Sequence, residues 1–90
     1  MLKPDLSNDA IRFLQKLDKK QFGQLFTAIT GLCADPRPID SISMGNGTHF
    51  RKDVGEYRII YRFDKDEQLY VTVVAKRNDK AAYEEFDRKK

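Results

Sequence analysis

The spacing of hydrophobic residues changes near residue 40, and this change constrains the fold of the chain more than any other sequence feature. Before it, apolar side chains recur every three or four residues, which is the period of an amphipathic helix. After it, they alternate in short runs rich in β-branched and aromatic residues, which is typical of strands. We therefore expect an α+β protein in which helices come first and hairpin-connected strands form an antiparallel, mostly meander β-sheet.

Two helices are predicted in the first half. Ser7 is a suitable N-cap for the first helix, in which Ile11, Leu14 and Leu17 follow at three-residue spacing. The apolar face predicted for the second helix comprises Phe22, Leu25, Phe26, Ile29, Leu32 and Cys33. Asp35-Pro36-Arg37-Pro38 should end this helix, because proline cannot continue the hydrogen-bond ladder. Neither helix can bury its face alone, so the N-terminal helical hairpin should pack on one face of the sheet.

The second half contains three strong strand patterns, at residues 49–53, 57–63 and 69–75. A weaker strand is predicted at 42–44. Residues 2–6 are a poor strand candidate, because the segment is short and contains Pro4, which is tolerated only at an edge. Alternation in the strand at 57–63 places Arg58 and Arg62 on the face that the helices do not cover. Residues 80–90 are expected to form a short C-terminal helix.

Size and composition narrow the classes of protein to consider. Ninety residues should form a single domain, 1–90, and the net charge of +3 suits an anionic partner such as nucleic acid. The single cysteine excludes an internal disulfide, and no membrane span or signal peptide is recognisable, so we expect a cytoplasmic protein. The sequence has no phosphate-binding glycine motif and no usual metal-ligand spacing, so no cofactor and no metal are expected.

Basic side chains and one histidine converge from the three strong strands. Because adjacent strands of a meander are neighbours, these side chains could bind one phosphate group together. Charges alternating along a strand are more often merely its solvated face, so this pattern alone does not establish a site. The candidate residues are His49, Arg51 and Lys52, Arg58 and Arg62, Lys76 and Arg77, and Tyr83.

Four segments of the chain are informative in combination, through their order and spacing. They are F-L-Q-K-L-D-K at 13–19, D-P-R-P at 35–38, V-G-E-Y-R-I-I-Y at 54–61, and K-R-N-D at 76–79 followed by Tyr83. The chain therefore resembles toxins of the RelE/ParE superfamily over roughly residues 7–85.

The resemblance implies the toxin of a type II toxin–antitoxin system. In many members of this family the toxin is a ribosome-dependent mRNA endonuclease, and a cognate antitoxin protein neutralises it. Carried over by position, Arg58 matches the arginine of the G-x-Y-R strand, Arg77 the arginine after the last strand, and Tyr83 the tyrosine beyond it. Arg51 falls where relatives have a lysine or arginine, and His49 replaces a second lysine. Asp53 is a departure, because many relatives are basic there.

Cleavage of RNA through its 2′-hydroxyl needs a base, an acid and cations that stabilise the phosphorane. Arg58 and Arg77 are suited to stabilise charge, and Arg51 is expected to belong to the same catalytic group. His49 is suited to act as base or acid, because the unperturbed pKa of a histidine side chain lies near neutrality. Tyr83 would stack on a base or assist proton transfer. The remaining predicted contacts with RNA are Lys52, Arg62 and Lys76.

Two alternatives remain open at the level of sequence. ParE-type toxins share the same fold but inhibit DNA gyrase by binding, without nuclease chemistry. A catalytically weakened family member that only binds RNA is the other alternative, and His49 and Asp53 leave room for it.

Overall fold

A computed structural model of the chain describes residues 1–44, 47–65 and 67–78. The elements within this part are β1 (Lys3–Leu6), α1 (Asn8–Gln15), α2 (Lys19–Ala34), β2 (Ile42–Met44), β3 (His49–Val54), β4 (Tyr57–Phe63) and β5 (Gln68–Lys76). They form one sheet with the strand order β1-β5-β4-β3-β2. The C-terminal helix predicted at 80–90 lies outside the described residues.

The predicted meander is confirmed for β2 to β5, which pair antiparallel with their neighbours along the chain. β1 departs from it, because it pairs parallel with β5 and makes the sheet mixed. Its place at the edge agrees with Pro4, which has no N–H to donate to a second neighbouring strand.

Side-chain caps fix where both helices begin. The Ser7 hydroxyl accepts a hydrogen bond from the Ala10 N–H at 3.1 Å and donates one to the Thr72 carbonyl at 2.7 Å, which joins the start of α1 to β5. The Asp18 carboxylate accepts from the Gln21 N–H at 2.8 Å at the start of α2. These bonds satisfy backbone donors that a helix leaves unpaired in its first turn.

The helical hairpin packs on one face of the sheet, as predicted. Tyr57, Ile59 and Tyr61 lie on this face of β4, and the Tyr61 hydroxyl donates to the Pro36 carbonyl at 2.7 Å. The helices contribute Ala10, Leu14, Leu25, Ile29, Leu32 and Cys33 to the same core. None of the helices in the described residues is long and apolar enough to span a membrane.

Two phenylalanines of the predicted apolar face are not part of the core. Phe22 is 41% exposed and Phe26 is 60% exposed, and their rings stack on each other with centroids 6.1 Å apart. They lie beside α1 and β1, which leave this end of the α2 face uncovered. Helical periodicity identified the apolar face of α2 but could not show how much of it the neighbouring elements would cover.

A two-residue turn, Gly55-Glu56, joins β3 to β4 and sets their register. Val54 pairs with Tyr57 on either side of the turn, and Asp53 therefore pairs with Arg58. Gly55 has a φ of 60°, a conformation that glycine adopts without the steric cost borne by other residues. The turn thus fixes which side chains of β3 and β4 meet on the face opposite the helices.

Candidate functional site

The face of the sheet opposite the helices, called here the site face, carries polar side chains of β3 and β4. Phe50 and Val54 of β3 pack against the core on the helix side. Because side chains alternate along a strand, His49, Arg51 and Asp53 point to the site face. The register places Arg58 there too, directly opposite Asp53.

An acidic residue lies between two of the predicted arginines. Asp53 Oδ1 accepts a hydrogen bond from Arg58 Nε at 2.6 Å, and Oδ2 accepts a weaker one from Arg58 Nη2 at 3.3 Å. Arg77 Nε lies 3.5 Å from the same Oδ2. One carboxylate therefore joins residues from β3, β4 and the segment that follows β5.

The backbone of the hairpin turn also holds Arg77. Its N–H donates to the Glu56 carbonyl at 2.9 Å, and its Nη1 donates to the Gly55 carbonyl at 3.3 Å. The position of this guanidinium thus depends on the turn as well as on Asp53. A shift of the turn would displace Arg77 even if Asp53 stayed in place.

Asp53 is ionised at neutral pH. The hydrogen bond from Arg58 lowers the pKa of its carboxyl below the ordinary value, and the charges of Arg58, Arg77 and Arg51 lower it further. Partial burial acts in the opposite direction but does not cancel these effects. The carboxylate consequently neutralises part of the positive charge that the arginines bring to the site face.

Arg51 lies beside this network, opposite Ile60 of β4. Its Nε is buried and has no hydrogen-bond partner among the described residues. A buried donor without an acceptor is uncommon and costs free energy. Arg51 therefore adds charge to the site face without being tied by this nitrogen to the Asp53 network.

An open depression of about 530 Å³ lies next to the arginine pair, and Arg58, Lys76 and Arg77 contribute to its wall. Glu56 and Asn78 complete the lining. Lys76 lines this depression with Arg58 and Arg77, although its register partner Tyr57 lies on the helix side of β4.

His49 stands at the other end of the site face. It precedes Asp53 by four residues, which corresponds to about 13 Å along an extended strand. Its Nδ1 lies 3.0 Å from the Thr48 hydroxyl. Continuing the β3–β4 register places it beside Arg62, whose guanidinium stacks on the Tyr70 ring at 4.0 Å. The predicted residues therefore form two groups, with Arg51 between them.

The structure does not bring Lys52 to the site face. Lys52 pairs with the buried Ile59 and so points toward the helix side, where its ammonium contacts Asp40 at 2.7 Å. The hydrogen bond from Lys52 also lowers the pKa of Asp40. The sequence grouped Lys52 with His49 and Arg51 as neighbours, although alternation separates it from both. Tyr83 lies outside the described residues.

From the sequence, Asp53 is only a departure from the resemblance, and its pairing with both arginines is not predicted. One signal was available, because a two-residue turn at Gly55-Glu56 makes residues 53 and 58 direct partners. Among the described residues, no group of three or more His, Cys, Asp or Glu side chains could hold a metal ion.

No protein-family model and no curated protein matches the sequence. Solved structures do match. A double mutant of the E. coli toxin RelE in the free state is 20% identical, with a TM-score of 0.79, over 96% of this chain and 94% of that chain. The isolated E. coli RelE toxin is 18% identical, with a TM-score of 0.75, over 99% and 98%.

A third match is a chain from the archaeal RelE–RelB complex of Pyrococcus horikoshii OT3, which is 24% identical with a TM-score of 0.74 over 87% of this chain and 97% of that chain. At such identities the likeness concerns the fold. It confirms the expected α+β arrangement of a helical hairpin on a sheet.

Proposed function

We propose that this chain, which has the fold of RelE toxins, is the toxin of a type II toxin–antitoxin module and cleaves messenger RNA on the ribosome. The observation that carries the proposal is the cluster of Arg51, Arg58 and Arg77 on the face of the sheet opposite the helices. Arginine suits this role because its guanidinium stays charged and binds phosphate through two parallel donors.

The chemistry proposed is attack of the RNA 2′-hydroxyl on the adjacent phosphate. The 2′-O–P bond forms as the bond from phosphorus to the 5′-oxygen breaks, a base takes the 2′ proton, and an acid protonates the leaving 5′-oxygen. Arg58 and Arg77 would stabilise the charge that accumulates on the phosphorane. His49 would transfer a proton, since it is two residues from Arg51, or about 7 Å along β3, and a phosphate held near Arg51 is within its reach. Tyr83 is assigned to the same step by position in the sequence. No residue in this scheme requires a metal ion.

Arg62 and Lys76 would bind RNA on either side of the reacting phosphate. Lys76 lines the depression beside Arg58, and Arg62 lies near His49 at the other end of the site face. A strand of RNA following β3 would meet both. Phosphate contacts of this kind position a nucleic acid without reading its sequence.

A cognate antitoxin is the second proposed partner, and an apolar groove on the helix side provides a surface for it. The exposed rings of Phe22 and Phe26 form one wall of a cavity of about 380 Å³. The rest of the lining is Pro4, Leu6, Ile11, Leu14, Gln15, Ile29 and Thr30. Similar solved structures include a toxin–antitoxin complex and a RelE toxin mutant in complex with an antitoxin peptide, which supports a protein partner here too.

One observation favours a second candidate function, RNA binding with weak or no cleavage. Asp53 is ionised and neutralises part of the charge of Arg58 and Arg77, which cleavage would need for the phosphorane. A protein of this kind would bind RNA and slow translation without cutting it. DNA gyrase inhibition by binding is the third candidate, favoured by the fold alone.

Expression of the chain without its antitoxin separates these candidates. We expect growth arrest, with breaks in messages at the ribosomal A site and intact chromosomal DNA. Arrest with intact messages and broken DNA would identify a gyrase inhibitor. Arrest or RNA binding without breaks in either nucleic acid would identify the non-cleaving candidate.

A further inference from the structure

The Asp53 carboxylate meets Arg58 in the geometry that a phosphate would use. Arg58 presents Nε and Nη2 side by side to the two carboxylate oxygens, at 2.6 and 3.3 Å. A guanidinium binds carboxylates and phosphates through the same pair of parallel donors. Arg77 Nε approaches the same carboxylate at 3.5 Å, so the oxygens lie where two arginines converge.

This contact is built into the fold. The Arg58 side chain is only 16% exposed and that of Asp53 33% exposed, so water competes weakly for their hydrogen bonds. The register fixed by the Gly55 turn sets Asp53 opposite Arg58, and the turn carbonyls hold Arg77. The carboxylate is therefore in place before any ligand arrives.

We propose that Asp53 is an internal competitor of RNA phosphate for Arg58 and Arg77, an inference that rests on the proposed binding of RNA at this face. The negative charge of Asp53 offsets part of the positive charge of the two arginines. A phosphate that binds the Nε–Nη2 edge of Arg58 must displace the carboxylate from that edge. Asp53 thereby weakens the binding of free RNA and selects for phosphates that other contacts hold against the site.

The proposal predicts a gain of affinity when the competing charge is removed. Asp53→Asn keeps the size of the side chain and an oxygen that can accept from Arg58, but removes the negative charge. Binding is measured by fluorescence anisotropy with a labelled single-stranded RNA of about ten nucleotides, 2′-O-methylated so that it cannot be cleaved. We expect the variant to bind about threefold more tightly or better at low salt.

The salt dependence should change as well. One additional cation available to phosphate steepens the slope of log K against log salt by about 0.7 for a single strand. Asp40→Asn is the matched control, because Asp40 is also an ionised carboxylate paired with a cation, but on the helix side of the sheet. This control should bind RNA as the wild type does.

Two results would overturn the proposal. One is an Asp53→Asn protein with the same affinity and slope as the Asp40→Asn protein, including the case in which neither binds RNA. The other is a gain that persists in the double variant Asp53→Asn/Arg58→Ala, which lacks the arginine that the carboxylate occupies. Circular dichroism of each variant under the binding conditions shows that an observed gain belongs to the folded chain.

The outcome can be told apart from failure of the proposed nuclease. The methylated RNA reports only on binding, while cleavage of unmodified messages on ribosomes is measured separately. If Asp53→Asn gains affinity but the chain never cleaves RNA, the competitor role of Asp53 stands and the proposed nuclease activity is wrong. If the chain cleaves RNA but Asp53→Asn gains no affinity, the nuclease activity stands and the competitor role is wrong.

Discussion

Asp53 and Arg58 are direct partners across the β3–β4 hairpin, and the Asp53 carboxylate accepts a hydrogen bond of 2.6 Å from Arg58 Nε. This pair lies on the site face, where the same carboxylate also contacts Arg77. The position of both arginines therefore depends on one acidic side chain and on the turn two residues after it. Stability and the arrangement of the candidate site are linked at this point of the hairpin.

The stability contributed by Asp53 should depend on pH in the acid range. The Arg58 hydrogen bond lowers the pKa of Asp53 in the folded state, so the unfolded chain binds a proton more readily. The contribution is fully present above the unfolded pKa of about 3.9 and is lost as the pH falls through the lower folded value. At neutral pH we expect Asp53→Asn to cost about 1 kcal/mol, given the partial exposure of the pair.

Urea unfolding of the wild type and Asp53→Asn between pH 7 and pH 3 would measure this dependence. The difference in free energy of unfolding between the two should stay constant down to about pH 5 and then shrink. A difference that is already absent at neutral pH would show that the pair contributes nothing to folding.

The Gly55 turn should be sensitive to any side chain at this position. Gly55→Ala places a Cβ on a residue with a φ of 60°, although no atom lies within 4 Å of that Cβ position. The cost is therefore conformational, and we expect a loss of about 1–2 kcal/mol in the free energy of unfolding. A weaker protection of the Arg77 N–H against hydrogen exchange should accompany it, because this group donates to the Glu56 carbonyl.

Gly23→Ala provides the matched control for this experiment. Gly23 lies inside α2, and a Cβ there also meets nothing within 4 Å. Alanine is the better helix former, so this variant should gain up to about 1 kcal/mol. Equal effects of the two substitutions would argue against the conformational role of Gly55.

If the apolar groove is the proposed antitoxin site, mutation should separate antitoxin binding from folding. Phe22→Ser and Phe26→Ser remove exposed rings, so the isolated chain should change in stability by no more than about 0.5–1 kcal/mol. Binding of the cognate antitoxin should weaken at least tenfold, because buried aromatic side chains often dominate protein interfaces. Titration calorimetry with the purified antitoxin would measure the loss.

Ile39→Ser is the control for the groove, since Ile39 is fully exposed on the loop before β2 and does not line the cavity. It should bind antitoxin normally. If all three variants bind equally well, the antitoxin contacts another surface and the groove has no part in the complex.

Local patterns predicted the elements well, and the long-range pairings less well. The Ser7 cap and the alternation of β4 depend on residues close in sequence, and both are observed. The parallel pairing of β1 with β5 joins segments more than sixty residues apart, which no local period reveals. Phe26 is likewise exposed because α1 and β1 do not cover it, which depends on tertiary packing.

The candidate site follows the same division. Arg58 and Arg77 are predictable from the sequence, because the resemblance matches both of them by position. Lys52 does not belong with them, because side chains alternate along a strand and Lys52 lies next to Arg51 in the sequence. This alternation is evident from the sequence alone. The role of Asp53 depends on the hairpin register, which the short turn indicates, and on the position of Arg77 after β5. Only the position of Arg77 depends on tertiary structure.

Cleavage of messenger RNA by the purified chain on programmed ribosomes tests the central claim most directly. We expect the wild type to produce breaks at the A-site codon. In Arg58→Ala the cleavage rate should fall at least a hundredfold, which corresponds to about 2.7 kcal/mol of activation free energy. Arg12→Ala, which removes an exposed arginine from α1, should cleave at the wild-type rate. Equal cleavage by the wild type and Arg58→Ala, or no cleavage by the wild type, would contradict the account.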